Sequence, residues 1–429
     1  MQAEHKDAPA VKNTRNFNSA AASVAEAWPW RILLITLFAS TLSNMDQSLF
    51  GYAVPAVMRH LDISLEAVGL IISASFASAA VSAPVFSAGV PRFGAPLILA
   101  ASVAASAAFV GLLSFISAPW LFAAVRITGF GLSAAIIPVS SAYLAIHSPT
   151  RGRALLIAIQ QCGYPLGWFI ASTFAASLMQ VHGWRAPFYV AFAVIPLAWL
   201  VYHLLPRYHR SDATPTPEST RERSSLRQLF AGPMRRTTLT FSAAFFLYGG
   251  AVGGTSFYLP TFFEQARGYS AASSTHIVGL SYAIGMLGYV GAATVSDLWL
   301  SRATTLTLWL LAATGGLIAA IWLPHTVPED TLAFGLTAIF YYGTSSIMVT
   351  CLLERYPQSL CAAAASVAGT ACISLGFVVF PLVTAATVKM IGWQPAFSII
   401  MVPAVLISAL LVSSLPRAGK ESVFAAENA

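Results

Sequence analysis

Two charged side chains lie far from any predicted aqueous segment of this sequence, and their types suit them to chemistry. Asp46 stands in the stretch "SNMDQSLF", between two apolar runs that could each lie in a lipid bilayer. Arg126 stands in the apolar stretch "LFAAVRITGFG". A charge at the centre of a bilayer costs about 3 kcal/mol even on lenient insertion scales, so it marks a cavity or a partner group.

These two groups are suited to complementary tasks. An arginine offers a permanently charged, planar fork that matches a carboxylate. Asp46 is the only one of the 16 acidic residues deep in a predicted span, so it is the one carboxylate there that could exchange a proton. An anion bound to Arg126 would weaken the electrostatic stabilisation of ionised Asp46 by Arg126, and Asp46 would then bind a proton more readily. Transport of the anion would thus be coupled to transport of a proton. The alternative is a permanent Asp46–Arg126 ion pair that only fixes two helices.

Other polar side chains in predicted spans are weaker candidates, because each could instead form an interhelical hydrogen bond. Gln47 and Gln161 are the strongest of them for a cavity. The predicted substrate-binding set is Arg126, Gln47, Gln161, Tyr164, Tyr248, Tyr282, Tyr341 and Ser345, with Asp46 as the proton-coupling residue. We predict no catalytic residue, no metal ligand and no cofactor.

The composition of the 429-residue chain is that of a membrane protein. It is 57% hydrophobic and 9% charged, whereas soluble domains carry about 25% charged residues. The four cysteines show no CxxC or Cys/His spacing, and no HExxH, GxSxG or Walker motif is present, which argues against an enzyme. The net charge of +7 has no basic helix or RNA-binding motif behind it, so we expect no nucleic-acid partner.

Twelve segments are long and apolar enough for spanning helices, which need about 20 residues each. The predicted fold is therefore an all-α polytopic membrane protein. The predicted spans are 31–57, 66–89, 95–116, 119–146, 153–180, 187–205, 237–263, 273–295, 303–323, 331–353, 361–388 and 394–415.

The basic residues predict the orientation of these spans. With the N-terminus inside, most of the 23 Lys and Arg residues fall in inside segments, and the outer loops hold only Arg59, Arg185, Arg267 and Lys389. Both termini should then be cytoplasmic. The predicted organisation is a tail over 1–27, a six-helix bundle over 28–205, a linker over 206–236, a second bundle over 237–416 and a tail over 417–429.

The two halves carry similar features at a nearly constant offset. "GWRAPF" (183–188) and "GWQPAF" (392–397) precede the sixth and twelfth spans, and Pro55 and Pro260 fall late in the first and seventh. Because six spans return the chain to the same side, both halves enter the membrane from that side. This predicts two pseudo-symmetric six-helix bundles with a solute pathway between them.

Several of these stretches resemble the major facilitator superfamily of transporters. "SPTRGRALLIA" (148–158) resembles its loop between helices four and five, and "VPRFGAP" (90–96) resembles its loop after helix two, with Pro91 in place of the usual aspartate. Within the superfamily, "NMDQSLFGYAVPAVMRHLDIS" (44–64) and "RITGFGLSAAIIP" (126–138) resemble anion:cation symporters. Gln47 replaces an arginine of that pattern, and Ser133 replaces a carboxylate.

This resemblance implies a secondary transporter that moves a small organic anion with protons by alternating access. A monocarboxylate, a sugar acid or an aromatic acid would fit the predicted residues. The alternative is a proton-driven exporter of drugs or metabolites from the same superfamily. We expect a monomer in the inner membrane of a bacterium, with the solute, protons and lipid as its partners. Gln47 and Ser133 predict fewer coupled protons or a substrate with a single charge.

Overall fold

The computed structural model describes residues 29–148, 153–205, 228–232, 234–323, 326–353, 355–356 and 364–415. These residues form helices joined by short turns, with no strand among them. The predicted all-α architecture is therefore confirmed. The predicted tails over 1–27 and 417–429, and most of the predicted linker over 206–236, lie outside the described residues.

The first half contains six helical units, three of which continue through a brief irregularity. They are α1 (Trp30–Leu61), α2 (Leu65–Ala88), α3 (Ala95–Leu112), α4 (Pro119–Ser133 and Ile136–Ile146), α5 (Arg153–Gln161 and Gly163–His182) and α6 (Ala186–Ala191 and Val194–Leu204). The helix α1 continues through Pro55 to Leu61, beyond the predicted end of its span at residue 57. Ser64 begins α2, since its side chain accepts a hydrogen bond from the amide of Ala67.

The second half repeats this arrangement. Its helices are α7 (Met234–Ser256 and Leu259–Gln265), α8 (Ala271–Leu298), α9 (Arg302–Trp322), α10 (Val327–Leu353), α11 (Ala365–Ala371 and Cys372–Ile391) and α12 (Trp393–Ser413). The first part of α11 is a π-helix. Ser270 and Ser301 cap α8 and α9 through their hydroxyl groups.

Nine of the described helices are long and apolar enough to cross a membrane. The remaining three, α1, α5 and α7, are equally long but more polar. Asn44, Asp46 and Gln47 lie within α1, Gln160 and Gln161 lie within α5, and Arg235 and Arg236 open α7. Polar residues inside a spanning helix are tolerated where they face protein or a cavity. The more polar helices thus include α1 and α5, which carry four of the predicted site residues, Asp46, Gln47, Gln161 and Tyr164.

The two halves meet along α2 with α11 and along α5 with α8. We call the end that carries residues 62–64, 183–185, 266–270 and Gly392 the distal end, which is opposite the end where α1 begins and α12 ends. Two ion pairs join the halves there: Arg59 contacts Glu264 at 3.2 Å, and Lys389 contacts Glu66 at 2.6 Å. The described contacts between the halves at the distal end therefore include pairs of opposite charges.

A close approach of α5 to α1 positions the centre of the first half. A Cβ on Gly167 would lie 2.6 Å from the backbone nitrogen of Met45, so only glycine allows this distance. The contact brings the backbone of α5 directly against the turn of α1 that precedes Asp46. It also fixes the neighbouring residue of α5, Trp168, against α1.

Candidate functional site

Asp46 lies at the middle of α1 and is fully buried. Neither carboxyl oxygen has a hydrogen-bond partner among the described residues. The groups that act on it come from neighbouring helices, the hydroxyl of Ser106 on α3 and the charge of Arg126 on α4. A buried carboxyl group without a firm partner is expensive to keep ionised, so this position is suited to taking up a proton.

Arg126 is also buried, with 3% of its surface exposed. Its guanidinium carbon lies 4.5 Å from the ring centroid of Phe50 and 5.2 Å from that of Phe130. Both rings follow from helical spacing, because Phe50 is one turn after Asp46 on α1 and Phe130 is one turn after Arg126 on α4. Contact with aromatic faces stabilises a desolvated cation by about 2 kcal/mol.

The two charges interact without forming an ion pair. Arg126 and Asp46 act on one another electrostatically, yet their nitrogen and oxygen atoms do not come within the 4.0 Å of a salt bridge. Nε and Nη1 of Arg126 have no hydrogen-bond partner among the described residues. The alternative of a closed Asp46–Arg126 pair does not describe this conformation. The arrangement leaves these two nitrogens of the guanidinium available to donate to an anion.

Gln47 and Ser133, the two residues that depart from the symporter pattern, contact each other. The Gln47 amide donates to the Ser133 hydroxyl at 3.3 Å, and that hydroxyl donates to the carbonyl of Phe130 at 2.7 Å. The carbonyl oxygen of Gln47 has no partner among the described residues. A neutral contact between α1 and α4 therefore stands at the two positions where the resembled pattern has charges.

The predicted residues of the second half divide into two groups. Tyr248 on α7 donates to the carbonyl of Tyr341 at 2.7 Å, and Ser345 donates to the carbonyl of Tyr342 at 3.0 Å. The Tyr248 hydroxyl therefore forms an interhelical hydrogen bond, as the alternative interpretation expects, whereas the Ser345 hydroxyl bonds within its own helix. By contrast, the hydroxyls of Tyr282 and Tyr341 are buried without a partner in the described part of the chain.

The two neighbouring glutamines of α5 differ in their surroundings. Gln160 is buried, donates to Ser40 at 2.7 Å and accepts from Ser141 at 3.0 Å, so it ties α5 to α1 and α4. The predicted binding residue, Gln161, is partly exposed just before the irregularity at Cys162. It is not brought together with Asp46 and Arg126 by any contact seen here.

Tyr164 and Tyr282 belong to a group of aromatic side chains that both halves supply. We call it the tyrosine–tryptophan cluster, and it consists of Tyr164, Trp168, Tyr282, Tyr289 and Tyr342. The Trp168 and Tyr282 rings stack with centroids 4.9 Å apart, and Tyr282 and Tyr342 stack at 5.5 Å. Tyr164 meets the Tyr282 ring edge-on at 5.8 Å. The Tyr164 hydroxyl and the Trp168 indole nitrogen have no partner among the described residues.

Sequence reasoning missed Phe50, Phe130 and Trp168. The two phenylalanines could have been found from their spacing, since each lies four residues after a buried charge. Trp168 could have been found from its depth, because tryptophans of membrane proteins concentrate near the interfaces and this one falls within a predicted span.

Comparison with known proteins identifies the family. The signature of the Major Facilitator Superfamily matches residues 36–372, so this chain belongs to that superfamily. The chain is 25% identical over 340 residues to the gallate transporter of Pseudomonas putida, an alignment that covers 73% of this chain and 75% of that protein. It is 22% identical over 396 residues to the hexuronate transporter of Escherichia coli K12, covering 87% and 90%.

Solved structures show the same fold. A bacterial homologue of the human lysosomal transporter Spinster, in an inward-facing and occupied conformation, matches with a TM-score of 0.68 at 15% identity, over 90% of this chain and 95% of that one. The expected fold and superfamily are confirmed by these matches. The superfamily consists of transporters, so the chain is an integral, multi-pass membrane transporter and the enzyme alternative is excluded.

Proposed function

We propose that this protein moves a small organic anion across the membrane together with protons. The observation that carries this proposal is that Asp46 and Arg126 lie buried and in electrostatic contact without forming an ion pair. Burial of two charges that do not form an ion pair lowers the stability of the folded protein, and a position of this kind is typical of a functional site. Two relatives, a gallate transporter and a hexuronate transporter, support a carboxylate as the solute.

Arg126 is the proposed anion-binding residue. Nε and Nη1 have no hydrogen-bond partner among the described residues. A planar guanidinium binds a carboxylate in a bidentate manner when Nη2 donates together with one of these two nitrogens. The rings of Phe50 and Phe130 restrict the orientation of the guanidinium, so less side-chain entropy is lost when the anion binds. Release of the anion then requires that the halves rock to open the pathway, as in other transporters with two repeats.

Asp46 is the proposed proton carrier. Without substrate, the positive charge of Arg126 favours the ionised carboxylate. A bound anion neutralises that charge, so the ionised, buried carboxylate of Asp46 loses its electrostatic stabilisation. Protonation of Asp46 is then favoured while the anion is bound. Anion and proton therefore move in the same direction.

The contact of Gln47 with Ser133 supports a simple stoichiometry. Both side chains are neutral and neither can carry a proton at ordinary pH. The site then has one titrating group and one fixed positive charge. We propose one proton for each monovalent anion, which makes the cycle electrically neutral.

Purified protein in proteoliposomes tests these proposals. We expect an acidic exterior to drive accumulation of a labelled monocarboxylate against its gradient, and an imposed membrane potential to leave the rate unchanged. Failure of an acidic exterior to stimulate uptake of any member of a broad carboxylate panel would contradict proton symport. Proton-driven movement in the opposite direction to the anion would instead support the exporter alternative.

The proposed location is the inner membrane of a bacterium, with both termini in the cytoplasm and the distal end outside. The excess of basic residues in the segments that would then face the cytoplasm supports this orientation. Reporter fusions at residue 429 and within residues 266–270 test it. We expect a reporter that is active only in the cytoplasm to work at the first position and to fail at the second.

A further inference from the structure

We propose that the tyrosine–tryptophan cluster is a second subsite that binds the ring of an aromatic carboxylate, with a hydroxyl or similar polar group on that ring. This inference rests on the proposed function, because Arg126 is taken to hold the carboxylate. It selects one substrate class from the three that the sequence allows.

The position of the cluster is the first argument. Trp168 packs over Gly51, where a Cβ would lie 2.7 Å from its ring, while the adjacent residue Phe50 covers Arg126. The carboxylate site and the cluster are therefore on neighbouring residues of α1. A continuous path of rings also joins them: Phe130 contacts Phe76 at 4.6 Å, Phe76 contacts Phe257 at 5.9 Å, and Phe257 contacts Trp168 at 5.5 Å.

The second argument is the chemistry of the cluster. Its rings stack on one another or meet edge-on, and these are the two arrangements in which a further aromatic ring binds favourably to them. Three buried donors in it, the hydroxyls of Tyr164 and Tyr282 and the indole nitrogen of Trp168, have no partner among the described residues. The two hydroxyls lie near each other and near Ser256, but none of these approaches has the geometry of a hydrogen bond. Buried donors of this kind recognise an oxygen on a ligand and discriminate against a ligand that lacks it.

The third argument is how the halves share the cluster. Tyr164 and Trp168 are on α5, whereas Tyr282, Tyr289 and Tyr342 are on α8 and α10. A ring held here touches both halves at once, so it would be released when they separate. The charge of the site also favours this ligand. Because Gln47 and Ser133 are neutral, Arg126 is the one cationic side chain near the subsite, which suits a ligand with one carboxylate.

The test is equilibrium binding to the purified full-length transporter by calorimetry, with four ligands: 4-hydroxybenzoate, benzoate, cyclohexanecarboxylate and glucuronate. We expect affinity to fall in that order. The Tyr282→Phe variant keeps the ring and removes the hydroxyl, so it should weaken 4-hydroxybenzoate binding about tenfold and leave benzoate binding unchanged. Tyr164→Phe provides a second variant if the first does not fold.

Tyr189→Phe is the matched control, since Tyr189 is 45% exposed and packs on Phe115 away from the cluster. It should leave the affinity for all four ligands unchanged. The inference is overturned if both tyrosine variants weaken benzoate and 4-hydroxybenzoate equally, or if glucuronate binds more tightly than 4-hydroxybenzoate. Proton-driven uptake of glucuronate without binding of aromatic acids would overturn this inference and leave the proposed function standing. Absence of binding and of proton-driven uptake for every carboxylate would overturn both.

Discussion

At the scale of single residues, the unusual feature of the first half is a guanidinium held by rings instead of by a carboxylate. Arg126 lies over Phe50 and Phe130 while the nearby Asp46 keeps both oxygens without a described hydrogen bond. Aromatic faces stabilise the cation without using its N–H donors. The donors therefore stay available for an anion, which a closed ion pair would not allow.

Replacement of Asp46 by asparagine tests its proton role. The amide resembles the protonated acid in shape and charge, so we expect binding and substrate exchange to persist within about twofold, while proton-driven accumulation falls at least about tenfold. Counterflow and gradient-driven uptake in the same vesicles provide the two measurements. Asp62→Asn is the control, because Asp62 is exposed in a left-handed conformation that asparagine adopts equally well. Equal loss of exchange and of driven uptake would contradict the proton role.

Replacement of Arg126 by lysine separates charge from shape. Lysine keeps the positive charge but loses the planar fork and much of its contact with Phe50 and Phe130, so we expect substrate affinity to fall about tenfold or more. Binding of a labelled carboxylate measures this loss. Arg185→Lys is the matched control, since Arg185 packs over Trp184 at 4.6 Å at the distal end. Unchanged affinity in Arg126→Lys would exclude bidentate binding at this site.

The limits of sequence reasoning are clearest at this scale. The cost of burying a charge singled out Asp46 and Arg126, and both proved to be adjacent and buried. The contacts of Arg126 with aromatic rings could not be predicted from the sequence. They depend on which faces of two helices meet, and this is determined by packing between distant segments. The same reason explains the glutamines of α5: Gln160 and Gln161 differ by about 100° of helix rotation, and the sequence alone does not say which of them points at α1.

At the scale of helices, close contact between α5 and α1 determines where the site forms. Gly167 meets the backbone of Met45, and this brings Trp168 over Gly51. The number and order of the helices were predictable from the lengths of the largely apolar segments, although α1, α5 and α7 are more polar than the other nine. The contact between particular helices was not, because small residues occur along many of them and do not by themselves specify a partner.

The Gly167→Ala variant should therefore be destabilised. Its added methyl group would lie 2.6 Å from a backbone nitrogen that cannot move alone, and overpacking of this kind costs about 1–3 kcal/mol. We expect a lower Tm for the purified protein, measured by thermal unfolding in detergent. Gly291→Ala is the control, because a Cβ at Gly291 would meet nothing within 4 Å. Its Tm should stay the same or rise, since alanine is the better helix former. Equal effects of the two variants would count against a tight α1–α5 contact.

At the scale of the whole molecule, the halves are joined at the distal end by Arg59 with Glu264 and by Lys389 with Glu66. The side chains of Arg59 and Lys389 are 62% and 72% exposed, so each pair contributes little to stability. Small energies still matter for an equilibrium between two conformations of the transporter, since about 1.4 kcal/mol changes their ratio tenfold. These ion pairs therefore favour the conformation in which the halves meet at the distal end.

Reversal of one charge should shift that equilibrium. Arg59→Glu places two carboxylates together, so we expect the distal end to open more often. In a variant without the native cysteines, opening should admit a thiol reagent to a cysteine introduced at Ser73, which is 2% exposed on α2. The double variant Arg59→Glu with Glu264→Arg restores opposite charges and should restore the original labelling rate. Unchanged labelling in the single variant would show that this ion pair does not hold the distal end closed.

The pairing of Arg59 with Glu264 also bears on how the molecule came to have two halves. Each of these residues lies four positions after one of the matching prolines, Pro55 and Pro260, so they occupy equivalent places in the repeat. A position that meets its own counterpart lies close to the axis that relates the halves. In an ancestral assembly of two identical bundles, such a position would face a copy of itself, and like charges there would repel. The attractive contact of Arg59 with Glu264 therefore requires two halves that differ at this position.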